Sequence, residues 1–152
     1  MSLHRCYFTD KAKIVIFALF AILHMINQIT LGIKISVETD FEGTFYKNYK
    51  VHFAFGYKIT IENQSKDSVQ LNSRFWNIED ALNNAEIVEG DGVIGQQPII
   101  LPGESHIYNS GCVLTSPFGA MNGHYNMLNL NTSEAFKVII PTFKLHAPFA
   151  LN

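Results

Sequence analysis

The stretch that most limits the fold is residues 53–62, FAFGYKITIE. Phe53, Phe55, Tyr57, Ile59 and Ile61 fall on one side of a period of two, and Ala54, Gly56, Lys58, Thr60 and Glu62 on the other. That pattern gives no stripe on a helix but one apolar face on a half-buried strand. Gly56, on the polar side, predicts a bulge or a close neighbour. A polar turn at 63–68 follows. Val69, Leu71, Ser73 and Phe75 then alternate with Gln70, Asn72, Arg74 and Trp76, which predicts a second strand paired with the first.

The same period recurs along the chain. Ile29, Leu31, Ile33, Ile35 and Val37 predict one strand, and residues 40–48 read as an aromatic-rich loop. Residues 79–84 read as a loop or helical turn, with short strands at 86–89 and 99–101. Pro102-Gly103 marks a tight turn. Short strands follow at 106–109 and 112–114, then a turn at 116–123. Tyr125, Met127 and Leu130 belong to another strand, and Phe136, Val138 and Ile140 to the last regular one, which Pro141 ends. No amphipathic helix follows Leu23. About seven to nine short strands with regular turn signals predict an all-β fold, an antiparallel sandwich of immunoglobulin or fibronectin type III character. A closed barrel is the alternative.

The N-terminus differs. Arg5, Lys11 and Lys13 precede ten apolar residues at 14–23. A spanning helix needs about 20, and reaching that length by extending to residue 33 takes in His24, Asn27, Gln28 and Thr30. The segment resembles a signal-peptide core but lacks an A-x-A-like cleavage site. Two readings stand: residues 1–24 are a signal or anchor, or translation begins at Met25. The division is therefore a hydrophobic extension at 1–24 and a domain at 25–152.

The chain carries net charge −2. Without residues 1–24 it has eight Lys and Arg (eleven less Arg5, Lys11 and Lys13) and twelve Asp and Glu (thirteen less Asp10), a net −4. Such a domain has no basic field to draw in nucleic acid. Cys112 is its one thiol, which points to a reducing compartment, the cytoplasm; membrane attachment would have to come through residues 14–33. The sequons at Asn63 and Asn131 lie in turn-like segments and read as chance matches.

Candidate chemistry centres on residues 90–98, GDGVIGQQP, where Gly90, Gly92 and Gly95 fit G-x-G-x-x-G. A dinucleotide fingerprint needs a helix after the glycines to hold the pyrophosphate. Gln96-Gln97-Pro98 and a β-branched run follow instead. The glycines then serve backbone geometry, or form a nest of N–H groups for an anion. Arg74 and Trp76 share a face by alternation and are the candidate interaction surface. A bulge near Phe75 would instead turn the Trp inward and leave Arg74 in a structural ion pair. His52, His106, His124 and His146 show no ligand spacing, so no metal or cofactor is expected. Glu89 and Asp91 could hold a hard cation loosely, or form a solvated acidic loop. Cys112 reads as a small buried hydrophobe.

The segments SRFW (73–76), GDGVIGQQP (90–98), LPGE (101–104), YNSG (108–111), PFGAMNGHY (117–125) and IPTFKL (140–145) occur in an order that resembles the ApaG family over about residues 33–148. Position 75, often His or Tyr in the family, is Phe here. The resemblance implies a fibronectin type III-like sandwich in a small cytosolic protein. Related domains end some F-box proteins and a DNA-polymerase-interacting protein, where they look like protein-interaction modules. The family is also associated with a diadenosine-tetraphosphate hydrolase and carries a cobalt and magnesium efflux label. Its glycine motif has suggested nucleotide or pyrophosphate binding, which would fall on Gly90, Gly92 and Gly95.

These readings predict a non-catalytic binding domain for a protein partner, for a polyphosphate nucleotide or pyrophosphate, or for both. The alternatives are a divalent-cation-dependent phosphohydrolase using Glu89 or Asp91, and an indirect accessory of metal transport. An exposed edge strand could also pair two copies.

Overall fold

The computed structural model describes residues 25–151. The hydrophobic extension, and the expectations about it, lie outside the described residues. Among the described residues no helix is long and apolar enough to cross a membrane.

Nine strands form two antiparallel sheets. They are β1 (Ile26–Thr30), β2 (Ile33–Lys47), β3 (Lys50–Asn63), β4 (Val69–Asp80), β5 (Glu86–Asp91), β6 (Ile99–Ile100), β7 (Ser105–Leu114), β8 (Phe118–Asn129) and β9 (Ala135–His146). A single 3-10 turn, Pro148–Leu151, follows. The first sheet has the order β1-β2-β3-β7. The second has the order β5-β4-β8-β9, with β6 pairing β4 as well. The sandwich is therefore the architecture, as the alternation predicts, and the barrel alternative falls.

The core lies between the sheets. Ile33, Ile35 and Val37 of β2 and Phe55, Ile59 and Ile61 of β3 are buried in one cluster with Leu71, Trp76, Tyr125, Met127, Val138 and Ile140 of the second sheet. Each aliphatic side chain removed from water in this way contributes about 1.5–3 kcal/mol. Gly56 has the close neighbour its position predicts: a Cβ there would lie 2.5 Å from the Glu42 carboxylate. A bulge sits next to it on β2, between Phe41 and Gly43.

Several strand limits differ from the sequence reading, each for a local reason. The run at 29–37 is a hairpin rather than one strand. Leu31 and Gly32, at φ +48° and +81°, turn the chain, so Thr30 pairs with Ile33 and Ile29 with Lys34. The turn moves Ile29 to the outer face, where it is exposed while Ile33 is buried. Residues 40–48 are not a loop, because β2 continues to Lys47. The segments at 106–109 and 112–114 are one strand, because Gly111 pairs with Gly56. The turn at 116–123 is shorter than expected, since Phe118 already begins β8. There Gly123 packs on β4 so closely that a Cβ would lie 2.0 Å from Phe75 O. Pro141 does not end β9; a register shift opposite it, between Met121 and Gly123, absorbs the missing N–H.

Asp80 ties the end of β4 to the approach to β8. Its carboxylate accepts from Thr115 N–H at 2.7 Å, Thr115 Oγ1 at 3.0 Å and Leu82 N–H at 3.2 Å. Burial pushes its pKa up, but these bonds and one from Asn83 outweigh burial and leave it below the ordinary 3.8. A lowered folded-state pKa stabilises the fold above about pH 4, and that contribution is lost as pH falls through the folded value. Asp80→Ala is expected to lower stability by about 1–2 kcal/mol at pH 7. Urea unfolding of both proteins at pH 7 and pH 3 tests this; an undiminished gap at pH 3 would exclude the carboxylate as its source.

Candidate functional site

The glycine stretch is an excursion in an edge strand. β5 and β6 pair with the same side of β4, and residues 92–98 leave and rejoin that edge between them. They cross a bulge in β4 at Asn72, where the register shifts between Leu71 and Ser73. Gly92 N–H and the Gln97 side-chain amide both donate to Asn72 O, at 2.8 and 2.9 Å. Pro98 O accepts from Leu71 N–H at 3.0 Å. At the tip Val93 and Gln96 exchange hydrogen bonds of 2.8 and 3.1 Å around Ile94 and Gly95, both at positive φ. That is the geometry of a type I′ turn.

The three motif glycines serve different ends. Gly90 makes room for an arginine: a Cβ on it would lie 3.1 Å from both terminal nitrogens of Arg74. Gly92 combines φ +59° with contact so close that a Cβ would meet Gln96 O at 2.0 Å. Gly95 needs only its φ of +71°, since the space beside it is open. A strand follows the motif, as the sequence predicts, so no helix N-terminus faces it. The N–H groups of Gly92, Val93 and Gln96 donate to carbonyls of the chain. Of the five amides from 92 to 96, those of Ile94 and Gly95 remain for an outside anion.

The bulge at Asn72 also decides where Arg74 and Trp76 point. They do share a face, but it is the inner one, and Ser73 and Phe75 take the outer. The bulge lies earlier than Phe75: it turns Trp76 inward, as one at Phe75 would, but takes Arg74 inward with it. Trp76 is 3% exposed, so it is corrected from interaction surface to core. Its ring meets Tyr125 and Phe143 edge-on, with centroids 6.4 and 5.9 Å apart. Arg74 makes no ion pair; among the described residues the one ion pair is Lys58–Glu38 at 3.3 Å. Its Nη1 donates instead to Asp91 O at 3.0 Å and Gly92 O at 2.8 Å, clamping the start of the glycine excursion.

Inward of Arg74 stand three tyrosines. Tyr108 and Tyr125 share a hydroxyl–hydroxyl hydrogen bond. Burial pushes the pKa of Tyr57, Tyr108 and Tyr125 up, with the Arg74 charge pulling weakly the other way. They are neutral donors at physiological pH rather than bases.

At the outer surface, Ser73, Phe75, Glu89, Asp91, His124 and Asn126, together with Arg74 and Gly90, line an open cleft of about 390 Å³. Phe75 stacks on His124 with centroids 5.0 Å apart and planes 12° from parallel. The Phe75 ring thus offers a stacking surface where His or Tyr would offer a polar atom. Burial lowers the His124 pKa, as does Lys137, against a smaller opposite pull from Glu89. Among the described residues no three His, Cys, Asp or Glu side chains converge to hold a metal ion. Burial, then Asp80 and Glu86, push the Cys112 thiol up to about 11, so it stays protonated.

One surface went unread in the sequence. β7 pairs with β3 only from Phe53 onward, so beyond it the β2–β3 ribbon projects as a two-stranded arm. Phe45 pairs with His52, Tyr46 with Val51 and Lys47 with Lys50 around a turn at Asn48 and Tyr49. Phe45, Tyr46, Tyr49 and Val51 are exposed, Tyr49 at 92%. The signal was present as β-favouring aromatics on both sides of Asn48, obscured by polar neighbours that a ribbon wet on both faces tolerates.

Comparison with known proteins agrees with this architecture. The ApaG domain family matches residues 44–129. The protein ApaG of Brucella anthropi is 43% identical over 124 residues, covering 82% of this chain and 95% of that protein. That of Mesorhizobium japonicum is 41% identical over the same shares. Among solved structures, a Northeast Structural Genomics Consortium target superposes with TM-score 0.73 at 36% identity, covering 77% of this chain and 88% of that one. A Bordetella pertussis protein described as ApaA gives TM-score 0.68 at 33% identity, covering 76% and 94%. By its motifs, its sandwich and these matches, the chain belongs to the ApaG domain family.

Proposed function

We propose that the domain is a non-catalytic binding module whose main ligand is a protein. The observation that carries this is the β2–β3 arm: four apolar or aromatic side chains stand in solvent on a two-stranded ribbon, where they stabilise nothing inside the sandwich. Exposed aromatics grouped in this way supply binding hot spots. Lys47 and Lys50 at the tip favour an acidic rim on the partner. The single thiol of the domain, held protonated, suits a reducing cytoplasm.

Tyr46→Ser combined with Tyr49→Ser is expected to weaken capture of the partner more than tenfold, while unfolding stability changes by less than about 0.5 kcal/mol. Pull-downs from the source cell with both forms test it. Identical captured sets would remove the arm from the interface.

Contact with a polyphosphate is limited in this reading to the Ile94 and Gly95 amides: in the neighbouring cleft Glu89 and Asp91 oppose an anion, and Arg74, which also lines it, is engaged by Asp91 O and Gly92 O. ATP, diadenosine tetraphosphate and pyrophosphate, titrated by NMR, should shift those two amides alone; no shift at millimolar ligand would eliminate this half. A phosphoester screen with Mg²⁺ or Co²⁺ is expected to show no turnover, and activity sensitive to Asp91→Ala would favour the phosphohydrolase instead.

A further inference from the structure

The sandwich has four sheet edges, and three are guarded. β1 is five residues long and lies against β9, whose Ile139 N–H donates to Thr30 Oγ1 at 3.2 Å. That contact covers one edge of each sheet. The opposite edge of the second sheet is broken by the glycine excursion and carries Glu86, Glu89 and Asp91. Charges, short strands and interruptions are the usual means of stopping edge-to-edge pairing.

β7 has none of them. It is ten residues long and pairs with β3 without a register shift, from Glu62–Ser105 to Phe53–Leu114. It contains no Lys, Arg, Asp, Glu or Pro. It ends its sheet, so among the described residues no strand pairs with its other side.

The strand is also complementary to itself. Ile107 and Val113 lie on its outer face, 54% and 51% exposed, and Ser110, on the inner face opposite Tyr57, stands midway between them along the strand. A two-fold axis at Ser110 would set each Ile107 against Val113 of a second copy and each Asn109 against Gly111. Apolar pairs placed directly across an antiparallel ladder are stabilising, and an uncharged strand does not repel its own copy. We propose that β7 pairs antiparallel with β7 of a second copy about Ser110, making one eight-stranded sheet across an isologous dimer. The arm takes no part, so this inference stands apart from the binding role assigned to the arm.

Sedimentation of the full chain should give the mass of two chains, and Ile107→Lys with Val113→Lys should halve it. Both positions are exposed, so circular dichroism should be unchanged. Ser110→Cys in a background with both native cysteines replaced, Cys6→Ala and Cys112→Ala, should cross-link the dimer under mild oxidation, because cross-strand Cα distances of about 4.5–5.5 Å suit a disulfide. Tyr46→Ser with Tyr49→Ser should leave the mass unchanged. A monomer at every concentration would overturn the proposal and leave the edge to an extended segment of another protein. A dimer that survives both lysines, fails to cross-link at residue 110, or dissociates on changing the arm would overturn it equally.

Discussion

Asn63→Asp is expected to lower unfolding stability by about 3–5 kcal/mol at pH 7, although it exchanges one amide nitrogen for oxygen. Asn63 is fully buried at the end of β3. Its Nδ2 donates to Asp67 O at 2.8 Å and Ile100 O at 2.9 Å. Its Oδ1 accepts from Ser65 N–H at 3.0 Å and Ser65 Oγ at 2.7 Å. A carboxylate can accept the second pair but cannot donate the first. The buried Ile100 carbonyl and the part-buried Asp67 carbonyl would then face a negative charge instead of an N–H, and each unmet group costs about 1–3 kcal/mol.

The pH dependence separates this cause from simple loss of packing. The buried carboxyl folds most easily when protonated, so its folded-state pKa lies above its unfolded value. Its penalty therefore grows as pH rises above about 4 and shrinks as pH falls toward it. Urea unfolding at pH 7 and pH 4.5 should show the gap to the unchanged protein narrowing at the lower pH. A loss under about 1 kcal/mol would mean that the amide does not hold these carbonyls. The same geometry disposes of the sequon at Asn63, because a side-chain amide bonded to four partners is closed to glycan transfer in the folded chain.

How much of this could be read in advance depends on what each residue's environment leaves in the sequence. The alternation at 53–62 exposes one face of β3 and buries the other, so the strand and its inward side are plain. The bulge at Asn72 leaves no mark, because a polar residue is as acceptable there as on a regular outer face. Yet it sends Arg74 and Trp76 inward together. The Leu31–Gly32 turn is masked by an exposed leucine that continues the apolar period into the bend. Asn63 reads as one polar residue in a polar turn, and its burial comes from Ile100 and Ser65, which the fold brings to it. The glycines of the candidate site were visible but not their separate reasons, which depend on Arg74, Gln96 and open space in turn.

Those reasons predict an order of effects within one motif. Gly92→Ala is expected to cost about 2–4 kcal/mol, since a Cβ 2.0 Å from Gln96 O cannot be accommodated without moving backbone, and the residue sits at φ +59° as well. Moving it would also break the Gly92 N–H bond to Asn72 O, which bridges the β4 bulge. Gly95→Ala keeps its space and bears only the strain of positive φ, about 1–2 kcal/mol. Gly90→Ala meets the flexible end of Arg74 and should fall below about 1 kcal/mol. Denaturant midpoints of the three variants give the ranking directly, and hydrogen exchange at Gly92 and Val93 should accelerate most in the first. Equal, small effects without ligand, followed by unequal losses of phosphate binding, would return residues 90–98 to the role their spacing first suggests. The order 92, 95, 90 without ligand, with phosphate binding absent in the unchanged protein, would instead identify the motif as the joint by which β5 and β6 share one edge of β4.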